Sequence, residues 1–113
     1  MRLHLPVVLA VLTLALTLAP DARPRGDPLD LYRAFACIHR YEGAWNAATG
    51  NGYYGGLQMD YDFMRAYGRE YLSAFGTADR WPPSLQIAVA IRAYLSGRGF
   101  RPWPNTARRC GLL

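Results

Sequence analysis

The stretch from residue 43 to residue 58 limits the fold of this 113-residue chain more than any other part of it. It is rich in glycine, carries tyrosine and amide side chains, and contains no long apolar run. Glycine weakens both helices and strands, so the stretch predicts a loop, or a loop with a short hairpin at Asn51-Gly52. The segments before and after it must therefore supply the core.

The segment before the loop predicts a helix that ends in a carboxylate. Asp27-Pro28 is typical of a helix start, because the aspartate caps free N–H groups and proline fits the first turn. Gly43 is typical of a helix end. Between them, one stripe about 60° wide follows the helical spacing. Its members are Leu31, Phe35, Ile38 and Glu42.

Glu42 is thus predicted to lie on the apolar face of the last helical turn. Partly apolar surroundings favour the protonated form of a carboxyl group, which is the form that a general acid needs. A solvated glutamate at a frayed helix end is the alternative, but the alignment with the apolar stripe argues against it. Glu42 is therefore our candidate catalytic acid.

The segment after the loop predicts further helices around a central one. Asp60 or Asp62 is placed to cap a helix that continues through Tyr67. Pro83 is placed to open another helix, and residues 85–95 are apolar on nearly every side, as in a buried central helix. The predicted fold class is α+β and mostly helical, a small domain built around the glycine-rich loop or short hairpin.

The first residues predict an export signal rather than a part of the fold. A basic start precedes an apolar run from Val7 to Ala19, which has the length of a signal-peptide core and is too short to span a bilayer comfortably. Proline, glycine and charged residues then follow, as in a linker. We predict a signal peptide at 1–22, a linker at 23–28 and one folded domain at 29–113. A membrane anchor is the alternative to export.

The two cysteines, Cys37 and Cys110, lie near opposite ends of the predicted domain. Small exported domains often contain disulfides, because their cores are small. Export and an even cysteine count favour one bridge between them, and two free buried thiols are the alternative. His39 is the only histidine after the leader. We therefore expect no metal site and no cofactor.

The charge of the chain predicts a polyanionic partner. All 13 basic residues are arginines, and the formal net charge is +5. A basic exported protein suits a partner such as the cell wall. The arginines are scattered rather than arranged in a stripe, which argues against nucleic-acid binding. No basic amphipathic helix is evident, so we expect no membrane partner once the signal is removed.

The loop carries side chains that suit a sugar polymer. Tyr53 and Tyr54 offer flat faces for sugar rings and hydroxyl groups for their polar edges. Gln58 can both donate and accept a hydrogen bond, which suits an acetamido group. A tight structural turn, with the tyrosines packed on the core, is the alternative.

Three segments carry a family resemblance. They are Thr49-Gly-Asn-Gly-Tyr-Tyr-Gly-Gly-Leu-Gln58, then Gln86-Ile-Ala-Val-Ala90, then Trp103-Pro104 with Cys110. Together they resemble the resuscitation-promoting-factor, or transglycosylase-like, domain family over roughly residues 31–110. The resemblance implies a compact lysozyme-like fold that cleaves the glycan of peptidoglycan. It also implies the site residues: Glu42 as the catalytic glutamate, with Asn51, Tyr53, Tyr54 and Gln58 lining the glycan cleft.

The chain departs from the family pattern near the acid and in the tail. The family run is Cys-Glu-Ser-Gly-Gly-Asn-Trp, whereas here the cysteine precedes Glu42 by five residues and the glutamate-to-tryptophan spacing is two residues shorter. The family's tail cysteine follows the late tryptophan by three residues, whereas Cys110 follows Trp103 by seven. Both cysteines are displaced by one helical turn, as in a relocated disulfide. The family's threonine shortly after the glutamine is missing or moved.

These observations predict a secreted, cell-wall-associated enzyme that cleaves the MurNAc–GlcNAc bond. Asp60 is the candidate for a second carboxylate, but it also suits a helix cap. With one well-placed acid, a lytic transglycosylase fits better than a hydrolase with two carboxylates. A lysozyme-type hydrolase and a non-catalytic peptidoglycan-binding or signalling module are the alternatives. The expected partners are glycan strands and a cell-wall peptidase, and the expected state is a monomer.

Overall fold

The computed structural model describes residues 27–113, together with residues 2, 3 and 10. Nearly all of the predicted signal peptide and linker therefore lies outside the described residues. In the part of the chain that is described, no helix is both long and apolar enough to cross a membrane.

Short helices build the domain. They are α1 (Pro28–Glu42), α2 (Tyr61–Tyr67), α3 (Arg69–Phe75), α4 (Pro83–Ala93) and α5 (Pro104–Arg109). A 3-10 turn at Ala78–Arg80 precedes α4, and a π-type turn at Tyr94–Arg98 follows it. Within residues 27–113, strand pairing is limited to an isolated antiparallel bridge between Tyr54 and Met59. The predicted class, mostly helical with a glycine-rich loop, is confirmed.

Helix α1 begins and ends where the sequence predicts. The Asp27 side chain accepts a hydrogen bond of 2.8 Å from the Leu29 N–H group and so caps the helix. The apolar stripe is fully buried at Leu31, Phe35 and Ile38. The stripe therefore anchors the helix to the core and brings Glu42, its last residue, to the edge of that core.

Helix α4 is the central helix, and it contacts both α1 and α2. Its buried apolar residues are Ile87, Val89, Ala90 and Ala93. Gln86 is also fully buried, although an amide interrupts the apolar pattern there. The α-helix ends at Ala93, and the π-type turn at Tyr94–Arg98 takes up the remainder of the apolar run.

The C-terminal segment closes over α1. The Phe35 ring lies 5.4 Å from that of Phe100 and 5.1 Å from that of Trp103, centroid to centroid. Cys37 of α1 and Cys110, the residue after α5, form a disulfide with a Cα–Cα distance of 6.1 Å. The predicted bridge is confirmed, and the alternative of two free thiols is wrong. Helix α5 itself was not predicted from the sequence.

Substitution of Gly68, which joins α2 to α3, is expected to destabilise the domain. A Cβ atom at this position would lie 2.8 Å from Trp81 Cη2 and 3.0 Å from Val89 Cγ2, both in the core. We expect Gly68→Ala to lower the free energy of unfolding by about 2 kcal/mol, since close-packed cores resist added volume. Urea unfolding measures this, with Ser73→Ala on the exposed surface of α3 as the control. Equal stability of the two variants would contradict the expectation.

Candidate active site

Glu42 is held by a hydrogen bond from the far end of the chain. The Thr106 hydroxyl donates to Glu42 Oε1 at 2.8 Å. Thr106 lies on α5 and is 9% exposed, whereas Glu42 is half-buried. The bond occupies one carboxylate oxygen from the protein side. The carboxylate is therefore a fixed, partly accessible group rather than a frayed helix end.

The Gln58 side chain lies beside this carboxylate-bearing turn. A Cβ atom on Gly43, the residue after Glu42, would lie 3.4 Å from Gln58 Nε2. Gly43 has an extended backbone with φ 174°, which any residue adopts, and a Cβ atom there would make an ordinary van der Waals contact with Gln58. The Gln58 amide thus lies directly against the end of α1.

Gln58 also has an unusual backbone. Its φ of 50° is the one positive value at a non-glycine residue within the described part of the chain. Two hydrogen bonds to the Gly55 carbonyl stabilise it, one from Gln58 N at 3.2 Å and one from Gln58 Nε2 at 3.0 Å. Left-handed conformations of side-chain-bearing residues cost about 1 kcal/mol or more and concentrate at functional sites. The strain marks Gln58 as a candidate functional residue.

Asn51 orders the tip of the loop. Its Oδ1 accepts from Tyr53 N at 3.0 Å, and its Nδ2 donates to Gln58 Oε1 at 3.4 Å. Asn51 therefore links the exposed Tyr53 to the Gln58 amide. The structure brings these three predicted site residues together.

Tyr54 has a different environment. Its backbone pairs with Met59, and its half-buried ring lies edge-on to Tyr61 with centroids 5.8 Å apart. The ring also packs against the hydrophobic core. The Tyr54 side chain therefore packs on the core and supports the loop. This is the alternative that the sequence left open for the tyrosines.

A cavity of about 430 Å³ adjoins the loop, and its lining includes Tyr53, Gln58, Asp60 and Arg98. Tyr67 also lines it, and a hydrogen bond with Ser96 lowers the pKa of the Tyr67 hydroxyl, as does the neighbouring Arg98 guanidinium. Glu42 is not part of this lining. Gln58 is the residue that connects the cavity to the turn that bears Glu42.

Asp60 caps a helix. Its Oδ1 accepts from Phe63 N at 2.8 Å at the start of α2. The remaining carboxylates of α2 and α3 are also occupied, since Asp62 pairs with Arg65 and Glu70 pairs with Arg92. No group of three or more metal-ligating side chains occurs among the residues that the structure describes.

Gln86 fastens the loop to the central helix, a role that the sequence analysis missed. Its Oε1 accepts from Gly56 N at 2.8 Å, and its Nε2 donates to the carbonyls of Trp45 and Trp81 at 2.9 and 3.0 Å. Gly55 must be glycine here, because its φ is 77° and a Cβ atom would overlap the Gln86 amide. One buried amide thus organises both ends of the loop.

Replacement of Gln86 is expected to loosen the loop. Gln86→Met keeps a similar volume but leaves Gly56 N–H and two carbonyls without their partner. We expect a loss of about 3 kcal/mol in the free energy of unfolding, because each orphaned buried polar group is costly. Thermal unfolding measures it. Ser84→Met, on the exposed surface of the same helix, is the control and should change stability little. A loss no larger than that of the control would contradict the role given to Gln86.

Three aromatic side chains, those of His39, Trp45 and Trp103, hold the loop against the rest of the domain. The His39 and Trp45 rings stack with centroids 3.6 Å apart, and His39 Nδ1 donates to the Gly56 carbonyl at 3.1 Å. The buried Trp103 donates through Nε1 to the Leu57 carbonyl at 2.8 Å. The loop is therefore held by α1, by α4 and by the C-terminal segment.

Thr106 is the other site residue that the sequence analysis missed. A signal was present, because Thr106 lies three residues after Trp103, where the family pattern has a cysteine. The family's other cysteine directly precedes the acid, and here that position is Tyr41. If a disulfide joins these two cysteines in the family, positions 41 and 106 must lie close together. A side chain at position 106 is therefore expected near Glu42, which follows position 41.

The sequence profile of the transglycosylase-like domain matches residues 38–106, which is more than half of the chain. Resuscitation-promoting factor Rpf1 of Corynebacterium glutamicum is 37% identical over 98 residues, covering 87% of this chain and 48% of that protein. Resuscitation-promoting factor RpfE of Mycobacterium tuberculosis is 40% identical over 67 residues, covering 59% and 36%. The chain spans half or less of the length of these relatives.

The matched segment contains Glu42, the loop and Thr106, whereas Cys37 and Cys110 lie just outside it. The relocated disulfide thus joins the residues that flank the matched region. The fold, the loop and the sequence similarity agree, and the chain belongs to the transglycosylase-like domain family of the resuscitation-promoting factors.

Proposed function

We propose that the protein is a secreted peptidoglycan-cleaving enzyme that acts on the MurNAc–GlcNAc bond, with Glu42 as its general acid and base. The observation that carries this proposal is the anchored Glu42 carboxylate, on a helix end whose next residue, Gly43, lies against the Gln58 amide. The exposed Tyr53 and the adjoining cavity supply a surface for sugar rings. Family membership adds support, since the family is named for transglycosylase-like chemistry.

The reaction that we propose is a lytic transglycosylation. Protonated Glu42 donates its proton to the glycosidic oxygen, and the C1–O bond breaks as the leaving sugar takes that oxygen. The acetamido group of the sugar that contains C1 stabilises the cation there. The Glu42 carboxylate then accepts the proton of the 6-hydroxyl of that sugar, and the 6-hydroxyl oxygen attacks C1. The product is a 1,6-anhydro sugar, and Glu42 is protonated again.

The surroundings of Asp60 favour this scheme over hydrolysis. Hydrolases of this kind use two carboxylates that flank the bond. Asp60 is the candidate for the second carboxylate, and its Oδ1 accepts from Phe63 N as a helix cap. The scheme above needs one carboxylate and takes its nucleophile from the substrate. A lysozyme-type hydrolase is the second candidate, since Asp60 also lines the cavity.

Localisation and partners extend the proposal. The apolar leader of the sequence supports export, and the disulfide suits an oxidising compartment. The net charge of +5 suits retention at an anionic cell wall. We place the protein at the cell wall as a monomer that acts on glycan strands, with a cell-wall peptidase as its candidate partner.

A non-catalytic binding module is the alternative from another class, because the loop after Glu42 is shorter than in the family pattern. Two measurements on purified peptidoglycan separate the classes. Release of soluble fragments reports cutting, and co-sedimentation with the insoluble material reports binding. The proposal predicts both for the wild-type protein. Co-sedimentation without any fragment release would establish the module instead.

A further inference from the structure

Thr106 makes an unusual use of its hydroxyl group. A threonine near a helix terminus normally bonds its own backbone or a nearby one. Here the hydroxyl of Thr106 donates to Glu42 Oε1, 64 residues away along the chain. In the described part of the chain, the buried polar or charged residues are Gln86 and Thr106. The first holds the loop, and the second contacts the acid.

Several independent contacts fix the position of α5 relative to the last turns of α1. The Cys37–Cys110 disulfide joins the two segments at positions five residues before Glu42 and four residues after Thr106. The Arg109 guanidinium lies over the Tyr41 ring, 4.2 Å from its centroid. Since Tyr41 directly precedes Glu42, α5 is held against the acid itself. Thr106 is therefore a fixed donor and not a mobile surface group.

This geometry distinguishes the two oxygens of the Glu42 carboxyl group. When the group is protonated, its carbonyl oxygen is a stronger hydrogen-bond acceptor than its hydroxyl oxygen. A donor at Oε1 thus favours the form in which Oε2 carries the proton. When the group is ionised, the same bond keeps the carboxylate in one orientation. A general acid and base must alternate between these two states, the protonated and the ionised carboxyl group.

We propose that Thr106 is a positioning residue, which orients Glu42 so that Oε2 exchanges the proton with the glycan. This inference rests on the function proposed above. Thr106 touches the acid and not the substrate, so its loss should impair the chemical step rather than substrate binding. The hydroxyl alone is required, since the methyl group of threonine takes no part in the bond.

The kinetic test uses soluble glycan strands and four proteins. We expect Thr106→Val, which keeps the shape but lacks the hydroxyl, to lower kcat about thirtyfold while KM stays within about threefold of wild type. Thr106→Ser retains a hydroxyl and should restore most of kcat. Thr77→Val removes a hydroxyl that donates to Asp79, a carboxylate without a role here, and should keep wild-type kinetics. A Val variant as active as wild type, or a Ser variant as impaired as Val, would overturn the inference.

A crystallographic readout separates this inference from the proposed function. We expect one Glu42 rotamer in crystals of the wild-type protein and of Thr106→Ser, and two or more rotamers in Thr106→Val. If the wild-type protein cuts no glycan but shows this pattern, the proposed function fails while the positioning of Glu42 by Thr106 stands. If Glu42 keeps the same single rotamer in Thr106→Val, the inference fails, whether or not the protein cuts glycan.

Discussion

Glu42→Gln is expected to abolish the release of soluble fragments from peptidoglycan, with a loss of at least about a thousandfold in rate. Glutamine keeps the size of the side chain and can still accept the hydrogen bond from Thr106. It cannot donate a proton to the glycosidic oxygen and then accept one from the 6-hydroxyl. Fragment release over time measures the rate, and co-sedimentation with insoluble peptidoglycan should remain at the wild-type level.

Two matched variants sharpen this prediction. Asp60→Asn removes a negative charge at the cavity but keeps the cap of α2, because asparagine caps helices as well as aspartate does. Glu70→Gln removes an exposed carboxylate that pairs with Arg92. Both should retain most of the wild-type rate. If Asp60→Asn is as inactive as Glu42→Gln, a second carboxylate takes part and the single-acid scheme is wrong.

Removal of the disulfide is expected to give the largest loss of stability. The bridge closes a loop with a sequence separation of 73 residues, for which the chain-entropy model gives about 4 kcal/mol. That is a large share of the roughly 5–15 kcal/mol that stabilises a typical domain. Cys37→Ser with Cys110→Ser should therefore lower the Tm by about 20 °C. Thermal unfolding of the oxidised wild type and the double variant measures the difference.

Reduction of the wild-type protein provides the control, because it breaks the same bond without changing the sequence. Reduced wild type and the double variant should unfold at similar temperatures. Below those temperatures, both should also lose activity, since the bridge holds α5 and with it Thr106. A double variant that unfolds at the wild-type temperature would mean that the packing of Trp103 and Phe100 alone secures the C-terminal segment.

Local signals predicted the parts of the fold that depend on neighbouring residues. The Asp27 cap, the apolar stripe and Gly43 delimit α1 because capping and periodicity act over a few residues. Asp60 caps α2 for the same reason. Helix α5 escaped prediction because it has six residues and no apolar periodicity. Its place is decided by the disulfide and by Trp103, which are contacts with distant parts of the chain.

The candidate site was predictable in its residues but not in its supports. Glu42 and Gln58 stand out in the sequence by pattern and resemblance. In the sequence, Gln86 is only an interruption of an apolar helix. Its role in holding the loop depends on hydrogen bonds to backbone groups 30 and 41 residues away. Thr106 depends likewise on a partner 64 residues away. Hydrogen bonds across such separations leave no periodic trace in the sequence.

The measurement that tests the central claim most directly is the mass of the new glycan ends formed in water enriched in the heavy oxygen isotope. If Glu42 acts alone and the 6-hydroxyl is the nucleophile, each cut leaves a 1,6-anhydro sugar on the C1 side, lighter than a reducing end by one water, and neither of the two new ends contains heavy oxygen. New reducing ends that carry the heavy isotope would contradict the account, because water would then be the nucleophile and a hydrolase mechanism would apply.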